Sequence, residues 1–135
     1  MIQLEGGNID KLNNEFNDLF KSTFDNERPI YIQLMDIIKN EIVSGNIALG
    51  EKLPSVRDFA VKLKINPNTV QKSLMELERL NFIYTERTSG KYVTKDKSLI
   101  EKERIKLASI SKEKYLEDMK KLGYTKEESI KFLGE

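Results

Sequence analysis

The chain has 135 residues, 39% hydrophobic and 33% charged, with a formal net charge of +1. That is enough for one domain with a real core, or a small domain with an appendage. With no cysteine and no histidine, disulfides, thiolate metal sites and the commonest general base are excluded. Apolar runs never exceed three residues, so neither a membrane span nor a signal-peptide core is expected, and the expected location is the cytoplasm.

The small net charge hides an uneven distribution. Residues 1–27 carry two lysines against six acids, residues 28–94 ten bases against seven acids, and residues 95–135 eleven against nine. The whole is not basic enough to imply nucleic acid by composition, but the middle segment has room for a local basic surface.

In chain order, Ile9, Leu12, Phe16, Leu19, Phe20 and Phe24 recur at helical spacing behind Asn8, a suitable N-cap. This amphipathic extension, residues 1–27, must bury its phenylalanines against the rest of the chain or a second copy. Packing against the tail helices across a dimer is the expected arrangement. Asp25–Pro29 reads as a linker or sharp turn. A helix follows from about Ile30 to Ser44, with Tyr31, Leu34, Ile38 and Ile42 on one face and Gly45 as its stop.

Glu51-Lys52-Leu53 can form only a short extended segment. Ser55 and Asp58 make a capping box for a two-turn helix whose buried stripe is Val56, Phe59, Ala60 and Leu63. Lys64-Ile65-Asn66 is a tight turn, with Asn66 capping the next helix and Pro67 at its first position. Val70, Leu74 and Leu77 are its inner face. Phe82–Arg87 and Lys91–Thr94 flank Thr88-Ser89-Gly90 as a β-hairpin. In the charged tail, Ile100, Leu107, Tyr115, Met119 and Leu122 suit one long helix or two stacked ones. Gly123 ends it, and Thr125 with Glu128 caps a last short helix.

The order helix, short strand, helix, turn, helix, hairpin predicts a winged helix-turn-helix over residues 28–95, in a mostly α chain with a small β-hairpin. A helical dimerisation tail, residues 96–135, completes the predicted organisation. The first turns of the second helix of the motif expose Asn68, Thr69, Gln71 and Lys72, all able to bond a base edge or a phosphate and none acidic. Glu76 and Glu78 come later, toward the far end.

Residues Pro29 to Thr94 resemble the DNA-binding domain of the GntR family of bacterial transcription regulators. The likeness is carried by Pro29-Ile30-Tyr31 with Gln33-Leu34, by the run Gly50–Ala60, by Asn68-Thr69-Val70 with Leu74, Leu77 and Leu80, and by Gly90-Lys91-Tyr92-Val93. The short tail is similar to that of the YtrA-type subgroup. The resemblance implies that such a tail serves dimerisation, and that regulated genes often encode ABC transporters. It further implies that Ser55 and Arg57 contact phosphate or a base, that Asn68, Thr69, Gln71 and Lys72 read DNA, and that Gly90 lets the wing, with Lys91, approach the minor groove. Many relatives carry arginine where Asn68 and Gln71 stand; asparagine and glutamine suit adenine rather than guanine.

Plainer roles stand beside these. Arg57 would also serve as a partner of Asp58, Asn66 as a cap rather than a reader, and Gly90 simply as a turn residue. No glycine-rich phosphate loop is present, and the acids are scattered as helix-surface partners, such as Glu117 with Lys121. No enzyme activity, cofactor or metal is therefore expected. The expected function is a homodimeric repressor binding an inverted-repeat operator in double-stranded DNA. The alternative is a winged-helix protein-interaction module, disfavoured because the second helix exposes only Met75 as an apolar anchor. The tail alone is too small to enclose an effector, which leaves room for a small molecule only between protomers or between the tail and the N-terminal helix.

Overall fold

The computed structural model describes residues 25–134. The expected N-terminal amphipathic helix, and its docking on the tail, lie outside these residues. Five helices and one hairpin are described: α1 (Ile30–Val43), α2 (Val56–Leu63), α3 (Pro67–Arg79), β1 (Ile83–Glu86), β2 (Gly90–Val93), α4 (Lys97–Lys121) and α5 (Lys126–Leu133). No helix among the described residues is long and apolar enough to cross a membrane.

Each boundary has a local cause. Gly45, at φ +87°, follows the Ser44 C-cap of α1, in the conformation that a side chain disfavours. Ser55 Oγ accepts from the Asp58 N–H at 3.0 Å while Asp58 Oδ2 accepts from the Ser55 N–H at 3.2 Å, the capping box expected at the start of α2. Asn66 Oδ1 accepts from the Asn68 N–H at 2.7 Å, and Pro67 opens α3. The tail contains one long helix rather than two stacked ones. Asp96 Oδ1 receives the N–H groups of Ser98 and Leu99 at its start. The Thr125–Glu128 capping box opens α5.

The described chain divides after Ile100. In the first unit Leu34, Ile38 and Ile42 of α1, Phe59 of α2, Val70, Leu74 and Leu77 of α3, and Ile83 and Val93 of the hairpin form one buried cluster. Ile100 joins it from the first turn of α4, with Leu99 packed alongside. The hairpin is antiparallel, with Tyr84 opposite Tyr92 and Glu86 opposite Gly90. Lys52 bridges to Tyr92, the Leu53 N–H donates to Lys91 O at 2.8 Å and the Val93 N–H to Glu51 O at 2.9 Å. The short extended segment before α2 is thus stitched to the edge of the wing, which leaves less unpaired backbone there.

In the second unit Met119 and Ser129 are buried, and the Tyr115 hydroxyl donates to Ser129 O at 2.7 Å. Leu122, Ile130, Phe132 and Leu133 stay exposed, because one short helix cannot cover both its own apolar face and that of α4.

The turn between α2 and α3 carries strain. Lys64 is left-handed, at φ 56° and ψ 47°, which costs a residue with a Cβ about 1–2 kcal/mol. Glycine there would relieve that cost and give back part of it through the freer unfolded chain. Lys64→Gly is expected to raise stability by about 0.5–1 kcal/mol in chemical denaturation.

Candidate nucleic-acid interface

A helix presents a usable surface only if its opposite face is held. Val70, Leu74 and Leu77 of α3 are fully buried, and Ser73 lies among them, buried as well. A polar group at a core position needs a partner. Ser73 Oγ has one, donating to the Tyr31 carbonyl at 2.8 Å, with Thr69 O at 3.2 Å. The bond ties α3 to the first turn of α1.

The outward face of the first two turns of α3 then carries Asn68, Gln71 and Lys72 exposed, with Thr69 half-buried at its edge. The two carboxylates of the helix are engaged elsewhere. Glu76 Oε1 receives Arg79 at 3.0 and 2.9 Å, and Glu78 Oε1 receives Lys91 Nζ at 3.1 Å and the Thr85 hydroxyl at 3.0 Å. Negative charge on α3 is therefore paired and confined to its C-terminal half. Lys72 is held differently: its Nζ lies 4.1 Å from the centre of the Tyr31 ring, a contact worth about 0.5–1 kcal/mol at an exposed site.

A second surface lies beside this one. Ser55, Asp58, Lys52, Arg87, Gly90 and Lys91 are among the residues lining a cleft of about 360 Å³ between the start of α2 and the wing. Gly90 sits at φ +122°, where an added Cβ would come within 3.3 Å of Lys52 Cε. The positive φ of the turn is what requires glycine, since the flexible Lys52 stem would need to give way by only a few tenths of an ångström.

Of the nine site residues expected from sequence, seven fall into two groups. Asn68, Thr69, Gln71 and Lys72 share the face of α3, while Ser55, Gly90 and Lys91 line the cleft. Arg57 stands exposed on the first turn of α2. Asn66 is engaged as the cap of α3 through its side-chain oxygen. Ser55 spends its hydroxyl on the capping box. The Lys91 side chain is only 22% exposed and is bonded to Glu78 and Thr85, so it braces the wing against α3. Ser73 carries no motif, its one clue being a serine within an otherwise apolar stripe, and Tyr31 lies in the Pro29-Ile30-Tyr31 run, where nothing in the sequence marks its ring as part of the site. Among the described residues no cluster of acidic side chains could hold a metal ion.

Residues 30–93 match the family described as bacterial regulatory proteins, gntR family. The HTH-type transcriptional regulator YhcF of Bacillus subtilis is 37% identical over 107 residues, which is 79% of this chain and 88% of YhcF. The chain belongs to the GntR family. A GntR family transcriptional regulator from Listeria monocytogenes shares the fold with a TM-score of 0.74 at 43% identity, over 82% of this chain and 97% of that one. The HTH-type transcriptional repressor YtrA of Bacillus subtilis is 43% identical over 68 residues, which is 50% of this chain and 52% of YtrA. The stretch that matches the GntR description runs from the first residue of α1 to the last of β2, so it takes in the whole winged helix and stops before α4.

Proposed function

We propose that this GntR-family regulator is a homodimeric repressor that binds an inverted-repeat operator through the exposed face of α3, with the wing and the start of α2 on the flanking phosphates. The carrying observation is the outward row Asn68, Gln71 and Lys72, seated on a fully buried stripe in a helix whose acids are all paired. Two such helices related by a two-fold axis reach successive major grooves. The exposed Leu122, Ile130, Phe132 and Leu133 of the tail support dimerisation through residues 96–135, since a second tail would cover them.

The readers favour adenine. Gln71 and Asn68 offer the paired donor and acceptor that match its major-groove edge. Lys91 acts in this reading as a brace for the wing, and Asn66 as the cap that sets the angle of α3.

Selection from a random DNA pool, read with the mass of the protein in solution, tests the proposal. An enriched inverted repeat bound by a dimer is the expected result, and transporter genes are the class to look for beside its genomic matches. Gln71→Ala should then weaken the enriched site by about 1–3 kcal/mol and flatten the preference at one position of each half-site. Wild-type affinity and preference in that variant would remove Gln71 as a reader.

A further inference from the structure

We propose that Tyr31 is a positioning residue of the recognition surface, its ring holding the Lys72 ammonium for one backbone phosphate; the inference rests on the DNA-binding reading above. Three features lead to it. The ring lies 4.1 Å from Lys72 Nζ, on the outward face of α3. Its backbone is clamped on one side, where Ser73 Oγ bonds the Tyr31 carbonyl at 2.8 Å. On the other side the buried Gln33 donates to Arg28 O at 2.7 Å and to Asp25 O at 2.9 Å, fixing the chain that leads into α1. A ring mounted on so fixed a turn has little freedom to follow the lysine, so the lysine must settle on the ring.

The kind of partner decides the consequence. Arg79 and Lys91, the other cations bonded to α3, are each taken by a carboxylate of that helix, which cancels their charge. An aromatic face restrains an ammonium through its quadrupole and contributes no net charge. Lys72 therefore keeps its full attraction for an anionic oxygen while losing part of the freedom of its four-carbon stem. Ordering that stem before contact lowers the entropy lost when the phosphate is bound.

Operator binding by wild type, Tyr31→Leu, Tyr31→Phe, Lys72→Met and the Tyr31→Leu/Lys72→Met double variant tests this, read by fluorescence anisotropy at several salt concentrations. Thermal unfolding sets a temperature at which all five are folded. Tyr31→Leu should bind roughly five- to thirtyfold more weakly, the size of two exposed cation–π contacts per dimer, and Tyr31→Phe should match wild type. The double variant should bind no more weakly than Lys72→Met alone, because the ring acts only through the lysine. Lys72→Met should lower the salt slope by about two per dimer. A Tyr31→Leu loss that persists undiminished in the Lys72→Met background overturns the proposal. So does a Tyr31→Phe variant as weak as Tyr31→Leu, which would put the effect in the hydroxyl, or an unchanged slope in Lys72→Met. A folded wild-type protein that binds no DNA at low salt overturns the DNA-binding reading itself, and is told apart from these by appearing before any substitution.

Discussion

Replacing Phe59 with alanine is expected to destabilise the protein by about 3–5 kcal/mol, the usual cost of emptying an aromatic site in a core. Phe59 is 1% exposed and belongs to the cluster that includes Leu34, Ile38, Leu74 and Leu77. It is also one of only two buried residues on the eight-residue α2, the other being Ala60. So short a helix has little stability of its own and depends on packing for its existence. Against a typical total of about 5–15 kcal/mol, the loss brings the domain near its unfolding threshold. In urea, the midpoint should fall with an unchanged slope. A loss below about 1 kcal/mol would mean that α2 is anchored by something other than this ring.

Operator affinity should fall roughly ten-thousand-fold between 50 and 200 mM salt if about eight phosphates are neutralised per dimer. That number corresponds to Lys52, Arg57, Lys72 and Arg87 on each protomer. Arg57 and Arg87 are exposed, as is Lys72, while Lys52 and Arg87 line the cleft beside the wing. Each contact releases counterions, so the logarithm of the binding constant should fall with the logarithm of salt with a slope of about −7. Arg57→Ala, which removes one contact per protomer, should bring the slope to about −5 and weaken matched and mismatched sites alike. Here the contrast with Gln71 is the informative part. A variant at Arg57 that leaves the slope at its wild-type value while altering sequence preference would place the guanidinium on a base instead.

Several features of the site were legible because the interactions that make them are short in sequence. The Ser55–Asp58 box spans three residues, and the Asn66 cap two. The glycine turn of the wing joins strands that are adjacent along the chain. Such contacts depend on residue type and spacing alone, since the intervening backbone has few conformations that satisfy them. The stripe Val70, Leu74 and Leu77 was equally plain, because helical periodicity assigns an inner face before any partner for it is known.

The same locality marks where reading stopped. Lys91 is indistinguishable in sequence from a wing residue aimed at DNA; folding brings Glu78, thirteen positions earlier, to within 3.1 Å and turns it into a brace. Ser73 finds its acceptor forty-two residues away, on Tyr31. Tyr31 in turn meets Lys72 only because that bond and the shared core bring the start of α1 against α3. By itself, then, the sequence determined the elements, their caps, the family and the row of candidate readers, all properties of neighbouring residues. Only the tertiary structure decided that Lys91 is cancelled by Glu78 while Lys72 rests on the Tyr31 ring. That choice depends on distances between side chains far apart in the chain, and the packing of α1, α3 and the hairpin around one core sets those distances.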